Sequence, residues 1–134
     1  MEITSGQMCE DMFLLMSRIK SGMIAVAEEY DLTPVQVAAL YAVLKGDTQM
    51  GQVANRLHCD ASNATGIVDR LVARGLVRRQ ESEQDRRVKM LQLTEKGLAT
   101  IDAIIAKLPT ATGCSKLSSQ ECSNLHDTIN KLAA

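Results

Sequence analysis

Hydrophobic residues recur at helical spacing near the beginning of the chain. Apolar side chains return every three or four positions over residues 7–29, which predicts one long amphipathic helix. Its apolar stripe is broad enough to serve a core and a partner chain together. The stripe contains Met8, Met12, Phe13, Leu15, Met16, Ile19, Met23, Ile24 and Val26.

Two shorter helices follow, each with a start signal. Thr33 and Pro34 open the first, because threonine is a favoured N-cap and proline suits the first helical position. This helix is predicted to end near Gly46. Thr48 is predicted to cap a second helix over residues 49–58.

A further helix is predicted over residues 61–74, joined to the previous one by a tight turn. Asp60 precedes it as the N-cap, and Gly75 follows it as the left-handed residue that ends a helix. The predicted buried stripe consists of Ala64, Ile67, Val68 and Leu71.

The hydrophobic period then changes from helical to alternating. Residues 76–79 and 88–93 are predicted to be strands, and the polar loop 80–87 joins them into a hairpin. Two short helices that are joined by a tight turn and followed by such a hairpin are typical of a winged helix-turn-helix.

Two more helices are predicted at the end of the chain. The first begins after Thr94 and runs to about Leu108, where the segment 109–113, with its proline and glycine, is predicted to break it. Ser118 and Glu121 have the spacing of a capping box at the start of the last helix. Its apolar seam is Cys122, Leu125, Ile129 and Leu132.

The predicted fold class is mainly α with a small β-hairpin, in a single domain covering residues 1–134. The winged helix-turn-helix occupies about 32–93. The remaining predicted helices, the terminal helices, occupy about 7–29 and 95–133.

The helix predicted over 61–74 exposes small and polar side chains, so its backbone can approach base edges in a major groove closely. Asparagine pairs well with adenine, and hydroxyl groups bond bases or phosphates. A helix start at an exposed turn would need the same residue types, which is the alternative interpretation. The candidate DNA contacts are Ser62, Asn63, Thr65, Gly66 and Arg70.

Two arginines, Arg86 and Arg87, lie at the predicted hairpin tip. Arginine on a hairpin suits a narrow minor groove, where the potential of DNA is most negative. The alternative is that both are ordinary charged loop residues. Arg70 has an alternative of its own, a local salt bridge with Asp69.

Three segments together resemble the MarR family of bacterial regulators: DRLVARGLVRR at 69–79, DRR at 85–87 and LQLTEKG at 91–97. The resemblance covers about 30–105. It implies a homodimer in which the first and last helices interleave into a dimerisation region made from about 7–29 and 95–133. It also implies that the helix 61–74 enters the major groove of DNA and that the hairpin loop 80–87, the wing of the fold, enters the minor groove. It further implies that Asp85 orients a neighbouring arginine, and that the chain is a repressor released by a small phenolic ligand or by thiol oxidation.

The distribution of charge agrees with a nucleic-acid partner, although the net charge is only −1. Residues 45–97 hold ten Lys and Arg against seven Asp and Glu, whereas the remainder holds five against nine. The basic middle is therefore a candidate phosphate-binding face, and a solvated surface of mixed charge is the alternative interpretation. An acidic remainder leaves a second hypothesis open, a winged-helix module that docks a basic protein.

The remaining chemistry argues against an enzyme. The chain has no nucleophile–base pair, glycine-rich phosphate loop or carboxylate pair typical of a catalytic site, and we expect no cofactor. The histidines and cysteines lack ligand spacing, so no metal site is expected. With no signal peptide or membrane-spanning run, the expected location is the cytoplasm.

Cysteine chemistry remains an alternative mode of regulation. Cys9 lies in the first helix and Cys59 lies just before the predicted groove helix, so both are candidate redox residues. The neighbours of Cys9 are Glu10 and Asp11, which disfavour a reactive thiolate. Aromatic content is only 2%, so a small aromatic effector would find few rings to stack on.

Overall fold

The structure, a computed structural model, describes residues 2–134, which form helices and one β-hairpin. The mainly helical class with a small β-hairpin is therefore confirmed. The elements are α1 (Ser5–Glu29), α2 (Pro34–Leu44), α3 (Met50–Leu57), α4 (Ala61–Ala73), β1 (Val77–Glu81), β2 (Lys89–Leu93), α5 (Glu95–Thr112), a 3₁₀ turn (Cys114–Lys116) and α6 (Ser119–Ala133).

Three of the predicted helix starts are confirmed by their side-chain hydrogen bonds. The hydroxyl of Thr33 accepts from the backbone N–H of Gln36 at 3.3 Å, and α2 begins at Pro34, directly after this cap. Asp60 caps α4. At α6, Ser118 and Glu121 form the predicted reciprocal box, with bonds of 3.2 and 3.0 Å.

The predicted cap of the third helix is wrong. The side-chain oxygen of Gln52 accepts from the backbone N–H groups of Thr48 and Gln49, at 3.0 and 3.1 Å. Gln49 is therefore the N-cap. The carbonyl of Thr48 instead accepts from the N–H of Leu91, at 2.7 Å, which joins this loop to β2.

The predicted break at residues 109–113 is also displaced. Helix α5 continues through Pro109 to Thr112, and Gly113 then takes a φ of 86°. Proline holds a helical φ, so its cost here is one missing N–H and crowding of the preceding turn. The helix ends one turn later because glycine adopts the left-handed conformation readily.

The hairpin pairs β1 with β2 antiparallel, from Val77 opposite Leu93 to Glu81 opposite Lys89. The first strand extends two residues further than predicted, so the connecting loop is 82–88. The name wing is used below for these seven residues.

The chain separates into two units. The first comprises Ala27–Ala106. It contains the helix-turn-helix and is called the DNA-lobe unit. Its core is apolar and closely packed, since side chains from every one of its helices and both strands are buried. The largest fully buried members are Leu40, Val53, Val68, Leu71, Leu76, Val77, Leu91, Ile101 and Ile104.

Gly97 allows α5 to begin against the end of α4. A Cβ atom at Gly97 would lie 1.9 Å from the carbonyl oxygen of Leu76, a separation that no side chain permits. The hydroxyl of Thr94 donates to the carbonyl of Gly75 at 2.6 Å. The start of α5 is thereby fixed to the segment that joins α4 to β1.

The second unit, called the terminal-helix unit, comprises the chain up to Val26 together with Lys107–Ala134. Its helices approach closely at Gly22, where a Cβ atom would lie 2.1 Å from the carbonyl oxygen of Ala111. No side chain of α6 is buried. Within residues 2–134, no helix has the length and hydropathy needed to cross a membrane.

Candidate nucleic-acid interface

Helix α4 presents an exposed polar face opposite its buried apolar residues. The prediction that Ile67 belongs to the buried stripe is wrong, because Ile67 is only half-buried and lines the flank of the helix with Ser62 and Asn63. Ala64, Val68 and Leu71 are buried in the DNA-lobe unit. The residues predicted to contact DNA lie on the exposed side, in agreement with the helical period. They are Ser62, Asn63, Thr65, Gly66 and Arg70.

The start of α4 is held rigidly by its cap. The carboxylate of Asp60 accepts from the backbone N–H of Asn63 at 2.8 Å, and the Asn63 amide lies 3.5 Å from the second carboxylate oxygen. The hydroxyl of Thr65 donates back to the carbonyl of Ala61 at 2.8 Å. Its lone pairs stay available to an incoming donor.

An open depression runs along one flank of α4, next to the first turn of α2. Its volume is about 370 Å³. A Cβ atom at Gly66 would meet nothing within 4 Å, so this flank is open along the helix backbone. The lining residues are Val35, Cys59, Ser62, Asn63, Gly66, Ile67 and Arg70.

The wing is shaped by an aspartate. The carboxylate of Asp85 accepts from the backbone N–H of Arg87 at 3.0 Å, and Val88 donates to the carbonyl of Asp85 at the same distance. The resemblance implied that Asp85 orients a neighbouring arginine. In the structure its carboxylate binds the backbone of Arg87. The bond between Ser82 and Val88, 2.9 Å, closes the loop.

Both arginines of the wing are exposed. In the described chain, neither the Arg86 nor the Arg87 guanidinium has an ion pair or a side-chain hydrogen bond. The nearest acidic residue of β1, Glu81, is instead paired with Lys89 at 3.0 Å. The wing therefore carries two cations that are not neutralised within residues 2–134.

Asp69 does not pair with Arg70, which was the alternative considered for that arginine. Its carboxylate binds the Arg79 guanidinium and so ties α4 to β1. Sequence reasoning missed this pair. Strand alternation contained the signal, because Arg79 shares a face with the buried Val77, and that face packs against α4.

A second ion pair fixes the entrance to α3. Arg56 binds Asp47 through two nitrogens, and this hydrogen bond together with the carboxylate charge raises the pKa of Arg56 above its ordinary value. Arg56 is therefore a permanent cation beside the helix-turn-helix, and the loop before α3 is restrained.

The two cysteine candidates lie in different units. Cys59 is half-buried and lines the depression beside α4, whereas Cys9 is exposed on α1. Among residues 2–134, no cluster of histidine, cysteine and carboxylate side chains has the arrangement of a metal site.

A polar recognition helix followed by a cationic hairpin defines a winged helix-turn-helix of the DNA-binding class. Comparison with known proteins assigns the family. The model of the MarR family matches residues 30–88. The transcriptional regulator MhqR of Bacillus subtilis is 31% identical over 98 residues, which cover 69% of this chain and 68% of MhqR.

The transcriptional repressor MdtR of the same organism is 30% identical over 93 residues, covering 69% of this chain and 60% of MdtR. A mutant of MarR from Escherichia coli, complexed with operator DNA, superposes with a TM-score of 0.74 at 19% identity, covering 93% of this chain and 92% of that one. The chain belongs to the MarR family. It is a DNA-binding transcription regulator and not an enzyme, as the sequence predicted.

Proposed function

We propose that the chain is a repressor that binds a pseudo-palindromic operator as a homodimer, with α4 in the major groove and the wing in the minor groove. The observation that carries this proposal is the pair of exposed guanidinium groups at Arg86 and Arg87, neither of which is in an ion pair within residues 2–134, on the same unit as the polar face of α4. Phosphate and minor-groove contacts favour such cations.

The proposed contacts divide by chemistry. In this proposal Asn63 reads a base edge, and Ser62 and Thr65 bond bases or phosphates. Arg70 contacts a phosphate, since its guanidinium is released from Asp69 by the Asp69–Arg79 pair. Gly66 has no side chain, so the helix backbone can approach the base edges and the flanking polar groups can reach them.

The homodimer is supported by the surface of the terminal-helix unit. Phe13 is 70% exposed and Leu132 is 65% exposed, and both belong to larger apolar faces. A soluble monomer rarely leaves apolar side chains exposed in such number on adjacent turns. A second copy of the chain would cover them, and two-fold symmetry would place two α4 helices in successive grooves. The exposed set is Met8, Met12, Phe13, Leu14, Leu15 and Met16 on α1, with Leu125, Ile129 and Leu132 on α6.

Regulation by a small aromatic or phenolic effector belongs to the proposal, as the resemblance implies. Thiol oxidation is the second candidate, and one observation favours it: the half-buried Cys59 lines the depression beside Ser62 and Asn63. A bulky adduct on that thiol would obstruct the approach of α4 to a groove. Salicylate and diamide, each added to a preformed DNA complex, would distinguish these two modes, and Cys59→Ser should abolish only the second.

The proposal is tested by Arg87→Ala in a fluorescence-anisotropy titration with the DNA upstream of the chain's own gene. We expect affinity to fall about tenfold, because a desolvated arginine contact is lost. The slope of log K against log salt should shrink by about 0.9 if the arginine also neutralises one phosphate. The dimer should persist, since Arg87 is exposed on the wing.

Arg18→Ala is the matched control. Arg18 is an equally exposed arginine, on α1, and its loss should leave affinity and salt slope unchanged. Equal losses for both variants would reduce the role of the wing to net charge. If the native chain and its variants all fail to bind DNA at low salt, the result would favour the second hypothesis, a winged-helix module that docks a basic protein.

A further inference from the structure

The turn between α1 and α2 presents two backbone carbonyls, those of Tyr30 and Asp31, to the side chain of Arg74. Helix α1 ends with a bond of 3.0 Å from the N–H of Leu32 to the carbonyl of Ala27, and one of 3.1 Å from Asp31 to Glu28. Asp31 has a φ of 55°, the left-handed conformation that completes this type of helix end. The carbonyls of Tyr30 and Asp31 lie beyond the last helical acceptors.

Arg74, at the C-terminal cap of α4, occupies both of these carbonyls. Its Nη2 donates to the carbonyl of Tyr30 at 3.0 Å, and its Nη1 donates to the carbonyl of Asp31. These residues are more than forty positions apart in sequence. A planar guanidinium has two parallel donors for such a pair of acceptors, whereas a lysine ammonium does not present this fork.

The same end of α4 is held from the other side by the start of α5. The ammonium group of Lys96 donates to the carbonyl of Arg74 at 3.2 Å. The N–H of Thr94 donates to the carbonyl of Leu76 at 3.1 Å. The C-terminal end of α4 is therefore fixed between two other segments of the DNA-lobe unit, and the end that carries Ser62 and Asn63 projects exposed.

We propose that Arg74 is a positioning residue for DNA binding: it sets the direction of α4 by binding the α1–α2 turn and does not itself contact DNA. Reading base edges depends on placing donors and acceptors within hydrogen-bonding distance. Loss of the fork would let the C-terminal end of α4 shift, which tilts the helix and changes the angle at which its exposed polar face meets the base edges. This inference rests on the proposed function, because it concerns how the same helix is aimed at the operator.

Arg74 is distinguished from the wing arginines by its partners. Its guanidinium is engaged by two carbonyls and is partly buried, whereas those of Arg86 and Arg87 are exposed. A phosphate contact by Arg74 would require breaking the fork. Its loss should therefore reduce affinity while leaving the number of released counterions unchanged.

The test uses residues 1–134 and measures their affinity for the DNA upstream of the chain's own gene, taken as the operator, and for unrelated DNA. It is run at several salt concentrations, with active protein quantified by stoichiometric titration. For Arg74→Ala we expect about a tenfold loss of operator affinity and a smaller loss for unrelated DNA. The salt slope should equal that of the native chain. For Arg74→Lys, which keeps the charge and one donor, we expect a loss of about threefold.

Asp31→Asn is the matched control. It keeps the backbone acceptor and a residue type that tolerates positive φ, but it removes the carboxylate. Affinity should remain native, because Arg74 binds the carbonyl of Asp31 and not its side chain. A loss equal to that of Arg74→Ala would contradict the fork as the source of the effect.

Other outcomes also decide the question. A salt slope reduced by about one in Arg74→Ala would show a phosphate contact, and equal losses on operator and unrelated DNA would show a merely structural role; either result overturns the proposal. If Arg74→Ala fails to fold, Arg74→Lys decides, since native affinity and specificity in that variant would overturn it. Absence of operator binding by the native chain would instead refute the proposed function.

Discussion

The DNA-lobe unit and the terminal-helix unit bury their apolar residues to very different extents. In the first, Leu71 and Ile101 are fully buried, and the exposed side of α4 is polar. In the second, the apolar side chains of α6 are exposed, with Ile129 at 52%. The amphipathic pattern is similar in both, but only the first unit supplies the surface that covers it.

This difference indicates where each unit obtains its stability. Residues 27–106 close their own core, so their stability is expected to be independent of protein concentration. The helices of the other unit gain burial only by association, so their stability is expected to rise with concentration. The unit that carries the proposed DNA contacts is thus pre-formed, whereas the other unit would complete its core only in the proposed homodimer.

The largest effect is expected from a cavity in the closed core. Leu71→Ala should destabilise the chain by about 2–5 kcal/mol, because a fully buried leucine leaves a cavity. Leu132→Ala makes the same chemical change on an exposed face. Urea denaturation at several protein concentrations should show a loss independent of concentration for the first variant and dependent on it for the second. Identical behaviour of both variants would refute the contrast.

A charge on the exposed apolar face of α1 should separate assembly from folding. Phe13→Glu is expected to weaken self-association about 100-fold, because the carboxylate would be desolvated in the interface. Its far-ultraviolet circular dichroism should stay close to that of the native chain, since Phe13 contributes nothing to the core of residues 27–106. Sedimentation equilibrium provides the measurement, and Phe13→Leu, which stays apolar, should associate nearly as the native chain does.

The smallest effect concerns the cap of α6. Hydrogen bonds from Ser118, first from its backbone N–H, lower the pKa of Glu121 below its ordinary value. The folded pKa is therefore below the unfolded one, so the stabilisation is present above the unfolded pKa and is lost as pH falls through the folded pKa.

This pH dependence can be isolated by Glu121→Gln, which keeps an acceptor for the cap but cannot titrate. Thermal unfolding between about pH 3 and about pH 7 should show a slightly flatter acid limb in the variant. Superimposable limbs would mean that the box contributes no pH-linked stability. Because Glu121 is exposed, the change should be far smaller than those of the core and the interface variants.

Sequence reasoning located the helices, the hairpin and the exposed face of α4 because each depends on local periodicity or a local cap. It misplaced the start of α3, where Gln49 is the N-cap and the side chain of Gln52 accepts from the backbone N–H groups of Thr48 and Gln49. It missed the Asp69–Arg79 pair and the Arg74 fork, which join residues distant in sequence. The DNA contacts themselves stay predictions.

The amino-acid sequence alone determined which residues share a face of each helix, which residues cap α2, α4 and α6, and that the hairpin carries cations, because those properties depend on neighbours within one or two turns. Tertiary structure decided which of the charged groups are already engaged. Asp69, Arg74 and Arg79 are occupied by distant partners, whereas Arg86 and Arg87 are not paired within residues 2–134. Electrostatic availability depends on distances in space, which no local spacing encodes.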